Sequence, residues 1–327
     1  MKKTMVLLIG LLLLVSCDDG NVVLQTISFG DATIAKCDNT NLLYKISENQ
    51  SMIFEFEEST TIAPFKNDVN TKQPLAIDNL KNKLIYRTYN GNPVKTSICG
   101  TILDANPQIT QEWIAEYGTV EIKTSAILSA PNTNNATKIS KFNHAIVFRN
   151  VGWKKPDGST QQETEIPFGT VQTNPDYNLP FGFDSDANTD VIKSSCDTSI
   201  FNFSGSESLR LKLKPATFDV LFATIAGANA KTALLDNDNT LTYSLYNNII
   251  NNAFYCVIPQ PTAPVLLQEW KAENGISDIK GTISVITTTQ TATQFKHTIT
   301  LKGVTFKRNN VTFYYGDIIE MGSFVTQ

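Results

Sequence analysis

The chain reads as all-β: two tandem homologous antiparallel β-sandwich domains, each with one short helix and one disulfide. Three observations predict this. The first is an internal repeat. Gln111-Glu112-Trp113 recurs as Gln268-Glu269-Trp270, an offset of 157, and self-similarity at constant spacing marks a duplicated unit. The same offset matches Leu84 with Leu241, Tyr86 with Tyr243, Tyr89 with Tyr246, Cys99 with Cys256 and Ile122-Lys123 with Ile279-Lys280. After a four-residue shortening it becomes 153 and aligns Phe142, His144, Val151 and Gly169 with Phe295, His297, Val304 and Gly322. The second observation is strand periodicity. Ser208 to Lys214 alternates leucine with polar or charged residues, and Met52, Phe54 and Phe56 keep the same phase in the other copy, which puts one face toward a core. The third is the cysteine count. Of five cysteines, Cys37 and Cys99 hold in one copy the places that Cys196 and Cys256 hold in the other. That implies the pairings Cys37–Cys99 and Cys196–Cys256 over the two cross-copy alternatives, and leaves Cys17 over. A thiol or metal site is the competing reading, but the chain has no CxxC and no nearby pair of histidines.

The elements follow in chain order. Lys2-Lys3 and the apolar run Met5 to Val15 form a signal segment over residues 1–16, too short to span a bilayer. Leu14-Val15-Ser16-Cys17 resembles the bacterial lipobox. That resemblance implies a diacylglycerol on the Cys17 thiol, cleavage before it, and a lipidated tether over 17–21. Several acyl chains hold firmly, since each buried methylene adds roughly 0.8 kcal/mol. Asp18-Asp19 resembles the export signal of Bacteroidetes-type surface lipoproteins, which implies the outer leaflet of the outer membrane. In enterobacterial systems an Asp there implies inner-membrane retention instead. The Asn/Thr-rich stretch from Asn132 to Thr137 favours the first reading.

The first β-domain repeat occupies 22–175 and the second 176–327. Phe142, His144, Ile146 and Phe148 alternate, slip at Asn150, and resume at Val151 and Trp153; Phe295 to Phe306 does the same about Gly303. Asn and Gly both tolerate positive φ, so a β-bulge is expected at each slip. The one short helix per copy is expected over Glu112–Tyr117 and Glu269–Asn274, stopped by Gly118 and Gly275.

Few residues carry recognisable chemistry. His144 and His297 are the only histidines, each on the apolar phase of its strand, which reads as a core histidine with a satisfied hydrogen bond. No nucleophile elbow, zincin motif or phosphate-cradling glycine loop is present, so the expectation is no catalytic set and no cofactor. Glu112 and Glu269, the nearest candidates for a carboxylate pair, fall in separate domains. Trp113 and Trp270 are possible ligand contacts; covering the end of a core is the stronger reading for so large an apolar side chain. Asp184, Asp186, Asn188 and Asp190 place oxygen ligands at alternate positions, a weak calcium candidate. Thr189 stands where a calcium loop of the EF-hand kind has Gly, and Ser195 where it has Glu, so a polar linker competes. Asp236 to Thr240 reads as a hairpin turn.

The net charge of −4 includes Lys2 and Lys3, leaving −6 once they are removed. An acidic surface argues against a nucleic-acid partner. The Cys-Asp-Asp start, Asp31-Ala32-Thr33 before Cys37, and the Glu-Trp and Phe-x-His blocks together resemble a Bacteroidetes (flavobacterial-type) lipoprotein family to which no activity is attached. The resemblance implies location and architecture. The expected function is a cell-envelope lipoprotein of the outer membrane, facing the exterior, with a non-enzymatic binding or structural role. Its partners would be the bilayer, through Cys17, and an extracellular glycan or protein. The alternative is a carbohydrate-active hydrolase using a carboxylate site.

Overall fold

A computed structural model describes residues 26–38, 40–57, 65, 74–78, 80–100, 102, 104–183, 189–227 and 229–327. The fold is all-β and sandwich-like, with two antiparallel sheets and two disulfides. The first copy contributes β1 (Ala35–Lys36), β2 (Leu42–Ser47), β3 (Gln50–Glu55), β4 (Leu75–Ala76), β5 (Lys83–Tyr89), α1 (Thr96–Cys99), β6 (Ile109–Leu128), β7 (Ile139–Lys154) and β8 (Thr160–Thr173). Its sheet runs β1-β2-β3-β5-β6-β7-β8, with β4 against β6. The second copy contributes β9 (Ile192–Lys193), β10 (Ser199–Ser204), β11 (Glu207–Lys212), α2 (Pro215–Leu221), β12 (Lys231–Leu234), β13 (Thr240–Tyr246), α3 (Asn252–Cys256), β14 (Leu266–Ala272), β15 (Thr282–Thr291), β16 (Gln294–Arg308) and β17 (Val311–Thr326). Its sheet runs β12-β15-β16-β14-β13-β11-β10-β9, with β17 on β16.

The chain packs into two compact units that cut across the duplication. One comprises the described part of Met1–Glu58 with Leu75–Val120 and Phe148–Pro167; the other comprises the described part of Ser59–Pro74 with Glu121–Val147 and Phe168–Gln327. In the first unit Met52, Phe54 and Phe56 are buried, as their alternation predicts. Tyr86 meets Trp113 edge-on at 5.1 Å between ring centres, and Phe54 meets Phe148 at 5.2 Å. In the second unit Leu209, Leu211, Leu213, Tyr243 and Trp270 join Ile299, Leu301, Phe306 and Phe313 in one core. Trp270 stands edge-on to Phe313 at 5.1 Å. Burying side chains of this size is worth about 1.5–3 kcal/mol each.

The helices lie elsewhere than expected. Glu112–Tyr117 and Glu269–Asn274 are not helical: the first lies in β6, and β14 holds the second as far as Ala272. Trp113 and Ala115 point inward while Ile114 and Glu116 point out. That period of two wins because Tyr86 and Trp113 sit directly opposite across β5 and β6, as do Tyr243 and Trp270 across β13 and β14. Cross-strand packing of large aromatics outweighs the high helix propensity of Gln, Glu and Ala, which is worth only tenths of a kcal/mol per residue. The short helices are α1 and α3, each ending on the second cysteine of its copy, and the second copy adds α2. The slips at Asn150 and Gly303 carry positive φ, +51° and +59°, and β16 shifts register on β17 between Val304 and Thr305. The equivalent Gly169 and Gly322 share φ near +125°, at +127° and +123°.

Each histidine is clamped between two threonines. His144 Nδ1 meets Thr124 Oγ1 at 2.9 Å and its Nε2 meets Thr173 Oγ1 at 2.8 Å. His297 meets Thr287 and Thr326 at the same distances. Thr173 and Thr326 stand 153 apart like the histidines, whereas Thr124 and Thr287 stand 163 apart. The four-residue shortening is therefore the net of two changes. The second copy gains six residues between β14 and β15, where the first has a continuous β6. It loses ten in the following hairpin loop. Ile279-Lys280 accordingly falls in the gained turn and Ile122-Lys123 in a strand, so that sequence match is not a structural one.

The long hairpin loop of the first copy docks within the second compact unit. Asn134 Nδ2 donates to the Ile318 carbonyl at 2.7 Å, and Ile318 N–H donates back to Asn134 Oδ1 at 3.1 Å. Thr137 N–H donates to the Tyr314 carbonyl at 2.7 Å, and Phe142 enters the unit's core.

Candidate functional site

The two copies present the same outward face of the same three strands with opposite chemistry. In the first copy Ile53 pairs with Ile85, and Ile85 with Ile114, across β3, β5 and β6. In the second, the row at offset 157 is Arg210, Thr242 and Lys271, across β11, β13 and β14. The row beside it reads Ser51, Arg87, Glu112 in one and Ser208, Ser244, Glu269 in the other. Arg87 Nε holds Glu112 Oε2 at 2.6 Å. Ser244 stands in the place of that arginine, and among the described residues Glu269 has only the exposed Lys271 ammonium at 3.8 Å as its ion-pair partner.

The disulfide-tethered helices complete the contrast. Cys37–Cys99 and Cys196–Cys256 are both formed, with Cα separations of 5.4 and 5.7 Å. In the first copy α1 sets Ile98 into an aliphatic cluster with Cys37, Tyr44 and Ile53 that covers the face. In the second, α3 sets Tyr255 at the corresponding position, with its hydroxyl 2.6 Å from Ser208 Oγ and 3.0 Å from Tyr246 OH. A cleft of about 590 Å³ opens there, walled by Tyr246, Phe254, Tyr255, Arg210, Glu269 and Lys271. That volume falls within the range of small-molecule sites.

The cleft is preorganised. Arg210 Nη2 donates to Asp197 Oδ2 at 2.7 Å and its Nε donates to Ser199 Oγ at 2.9 Å. Its guanidinium lies over the Tyr255 ring at 5.3 Å and the Phe201 ring at 5.6 Å. Burial acts to raise the Asp197 carboxyl, but hydrogen bonds from Ser199 and Ser194 and the Arg210 charge outweigh it and hold the group below the usual carboxylate range. Burial first, then the hydrogen bond with Tyr255, pushes the Tyr246 phenol above its ordinary value. The Tyr246 phenol therefore remains a hydrogen-bonding group at neutral pH. Aromatic walls beside fixed charges and the Thr240, Thr242 and Ser244 hydroxyls suit a polyhydroxylated ligand with apolar faces.

The residues singled out in the sequence fall as follows. Trp113 and Trp270 are buried, at 1% and 4% exposure. Lys155 Nζ lies 4.4 Å over the Trp113 ring, while Trp270 borders a separate pocket. Glu112 is paired with Arg87, and Glu269 lines the cleft. His144 and His297 are fully buried, away from the cleft residues. Burial, with the charge of Lys231, pulls His297 down to about 4. Cys17 and three of the calcium candidates, Asp184, Asp186 and Asn188, lie outside the described residues; Asp190 forms a parallel bridge with Ser323. Among the described residues no group of three or more His, Cys, Asp or Glu could hold a metal ion, and no helix is long and apolar enough to cross a membrane. Reading for matches between the copies missed the cleft. Its signal lies in the mismatches at offset 157: Ile53 with Arg210, Ile85 with Thr242, Arg87 with Ser244 and Ile98 with Tyr255.

Compared with known proteins, the chain matches no family model, no curated protein and no solved structure.

Proposed function

We propose that this chain is a lipoprotein anchored through Cys17 in the outer membrane, facing the exterior, whose second copy binds a glycan and whose first copy serves as scaffold. The observation that carries the binding reading is the row Arg210, Thr242, Lys271. A polar, aromatic-walled cleft replaces there the aliphatic cover that the same strands carry in the first copy. Among the described residues Glu269 is the one carboxylate lining it. Glycoside hydrolysis ordinarily uses two facing carboxyl groups, so the lining favours binding over turnover. The signal segment, the lipobox resemblance of Leu14 to Cys17 and the acidic pair after it support the anchored location.

The test is a glycan array probed with the wild-type chain and with Arg210→Ile, Thr242→Ile, Lys271→Ile combined, which copies the first copy's row. Binding by the wild type and its loss in a variant of unchanged circular dichroism is the expected result. Release of reducing sugar from a bound polysaccharide would replace the proposal with an enzymatic one. Binding that survives the triple substitution would move the site elsewhere.

A further inference from the structure

Successive residues of β14 face opposite ways. Glu269 and Lys271 line the cleft, while Gln268 and Trp270 border a second, more enclosed pocket of about 100 Å³. The two share no lining residue.

The copies again differ at matched positions. In the first, Trp113 Nε1–H donates to Gln111 Oε1 at 3.3 Å, with Lys155 over the ring. At offset 153 from Lys155 stands Arg308, which donates to Gln268 Oε1. The glutamine oxygen that serves the indole in one copy serves a guanidinium in the other. Trp270 Nε1 is consequently buried with no acceptor among the described residues, a costly state for a donor removed from water. The remaining lining is apolar at Phe142 and Phe313, and carries Arg308, Lys138 and Asp176, two cations to one anion.

We infer that this pocket binds a small aliphatic carboxylate. One carboxylate oxygen accepts from Trp270 Nε1–H. The charge is met by Arg308, whose planar fork has donors beyond the one given to Gln268. The short hydrocarbon body lies against Phe142 and Phe313. The size is matched: a cavity of about 150 Å³ takes benzene, so about 100 Å³ takes a chain of a few carbons. This site goes beyond the glycan reading and does not depend on it.

The chain has three tryptophans, so a ¹⁵N-indole-labelled sample of the full chain in detergent gives three indole N–H signals, assigned by Trp→Phe variants. Butyrate is expected to shift the Trp270 signal saturably and leave those of Trp113 and Trp153 in place. Trp270→Phe keeps an aromatic ring there and removes the donor, and should weaken butyrate binding at least tenfold by calorimetry. Arg308→Gln, at an exposed position, should do the same and covers the case in which Trp270→Phe does not fold. The inference is overturned if tens of millimolar butyrate moves no indole signal, if butyramide binds as tightly as butyrate, or if Arg308→Gln leaves the affinity unchanged. Glycan binding should be unaffected by Arg308→Gln, which separates failure of this site from failure of the cleft.

Discussion

The buried His297 makes the fold sensitive to acid in a calculable way. Its ring has no exposed surface, both nitrogens are bonded to threonine hydroxyls, and the rings of Phe222 and Phe324 lie at 5.5 and 5.2 Å. Burial first, then the Lys231 charge, holds it down to about 4 from an ordinary 6.5. The folded state therefore binds fewer protons than the unfolded chain between those two values. The stability it confers is complete above the unfolded value, near pH 6.5, and is lost as pH falls toward 4. The gap of roughly 2.5 pH units corresponds to about 3 kcal/mol, of which about 2.5 kcal/mol is gone by about pH 4.5. Urea unfolding at constant ionic strength, followed by circular dichroism from about pH 7.5 to about pH 4.5, measures it against His297→Gln. That variant can still hydrogen-bond but does not titrate. The wild-type advantage should shrink by about 2.5 kcal/mol over that range. A difference between the two proteins that stays flat to within about 0.5 kcal/mol would refute the linkage reasoning.

Three further outcomes are expected. Cys196→Ser with Cys256→Ser should cost roughly 4 kcal/mol by the chain-entropy model in urea unfolding. It should also weaken glycan binding, because Cys256 adjoins Tyr255, whereas the Cys37–Cys99 double variant should leave the array signal intact. Asn134→Ala removes both bonds to Ile318 and should lower the stability of the second unit by about 1–2 kcal/mol, read as earlier hydrogen exchange in β17. Cys17→Ala should abolish metabolic palmitate labelling and shift the protein out of the membrane fraction; retained labelling would remove the anchor.

What was legible in the sequence was whatever depends on residues near one another along the chain or on matched spacing. Leu209, Leu211 and Leu213 show their inward phase directly, and the position of Cys99 against Cys256 pairs the disulfides. The strand around Trp113 resembles a helix in sequence because Gln-Glu-Trp-Ile-Ala-Glu carries helix-compatible residues, and its deciding partner, Tyr86, lies 27 positions away. The six-residue gain and ten-residue loss in the second copy hid behind their difference until the two threonine clamps fixed the equivalence. The cleft could not be seen in any one segment. Arg210, Thr242 and Lys271 become neighbours only through the register of β11 on β13 and β13 on β14.

That register also explains why two segments matched at a constant offset can carry a closed and an open version of the same face. The inward residues of β3 and β11, of β5 and β13, and of β6 and β14 keep their apolar character, since each set lies against a core. The outward residues are free to differ, because a strand's two faces are independent at a period of two. In the first copy the outward positions carry Ile53 and Ile85, against which α1 sets Ile98, and the Arg87–Glu112 pair. In the second they hold Arg210 fixed by Asp197, and leave Glu269 and the Tyr255 ring beside the open volume. The same alternation, read one residue along β14, turns Trp270 inward, where its indole N–H has no acceptor among the described residues. A ligand in the cleft and a carboxylate in the pocket would thus lie on opposite faces of one strand. Their binding free energies should add unless β14 itself shifts.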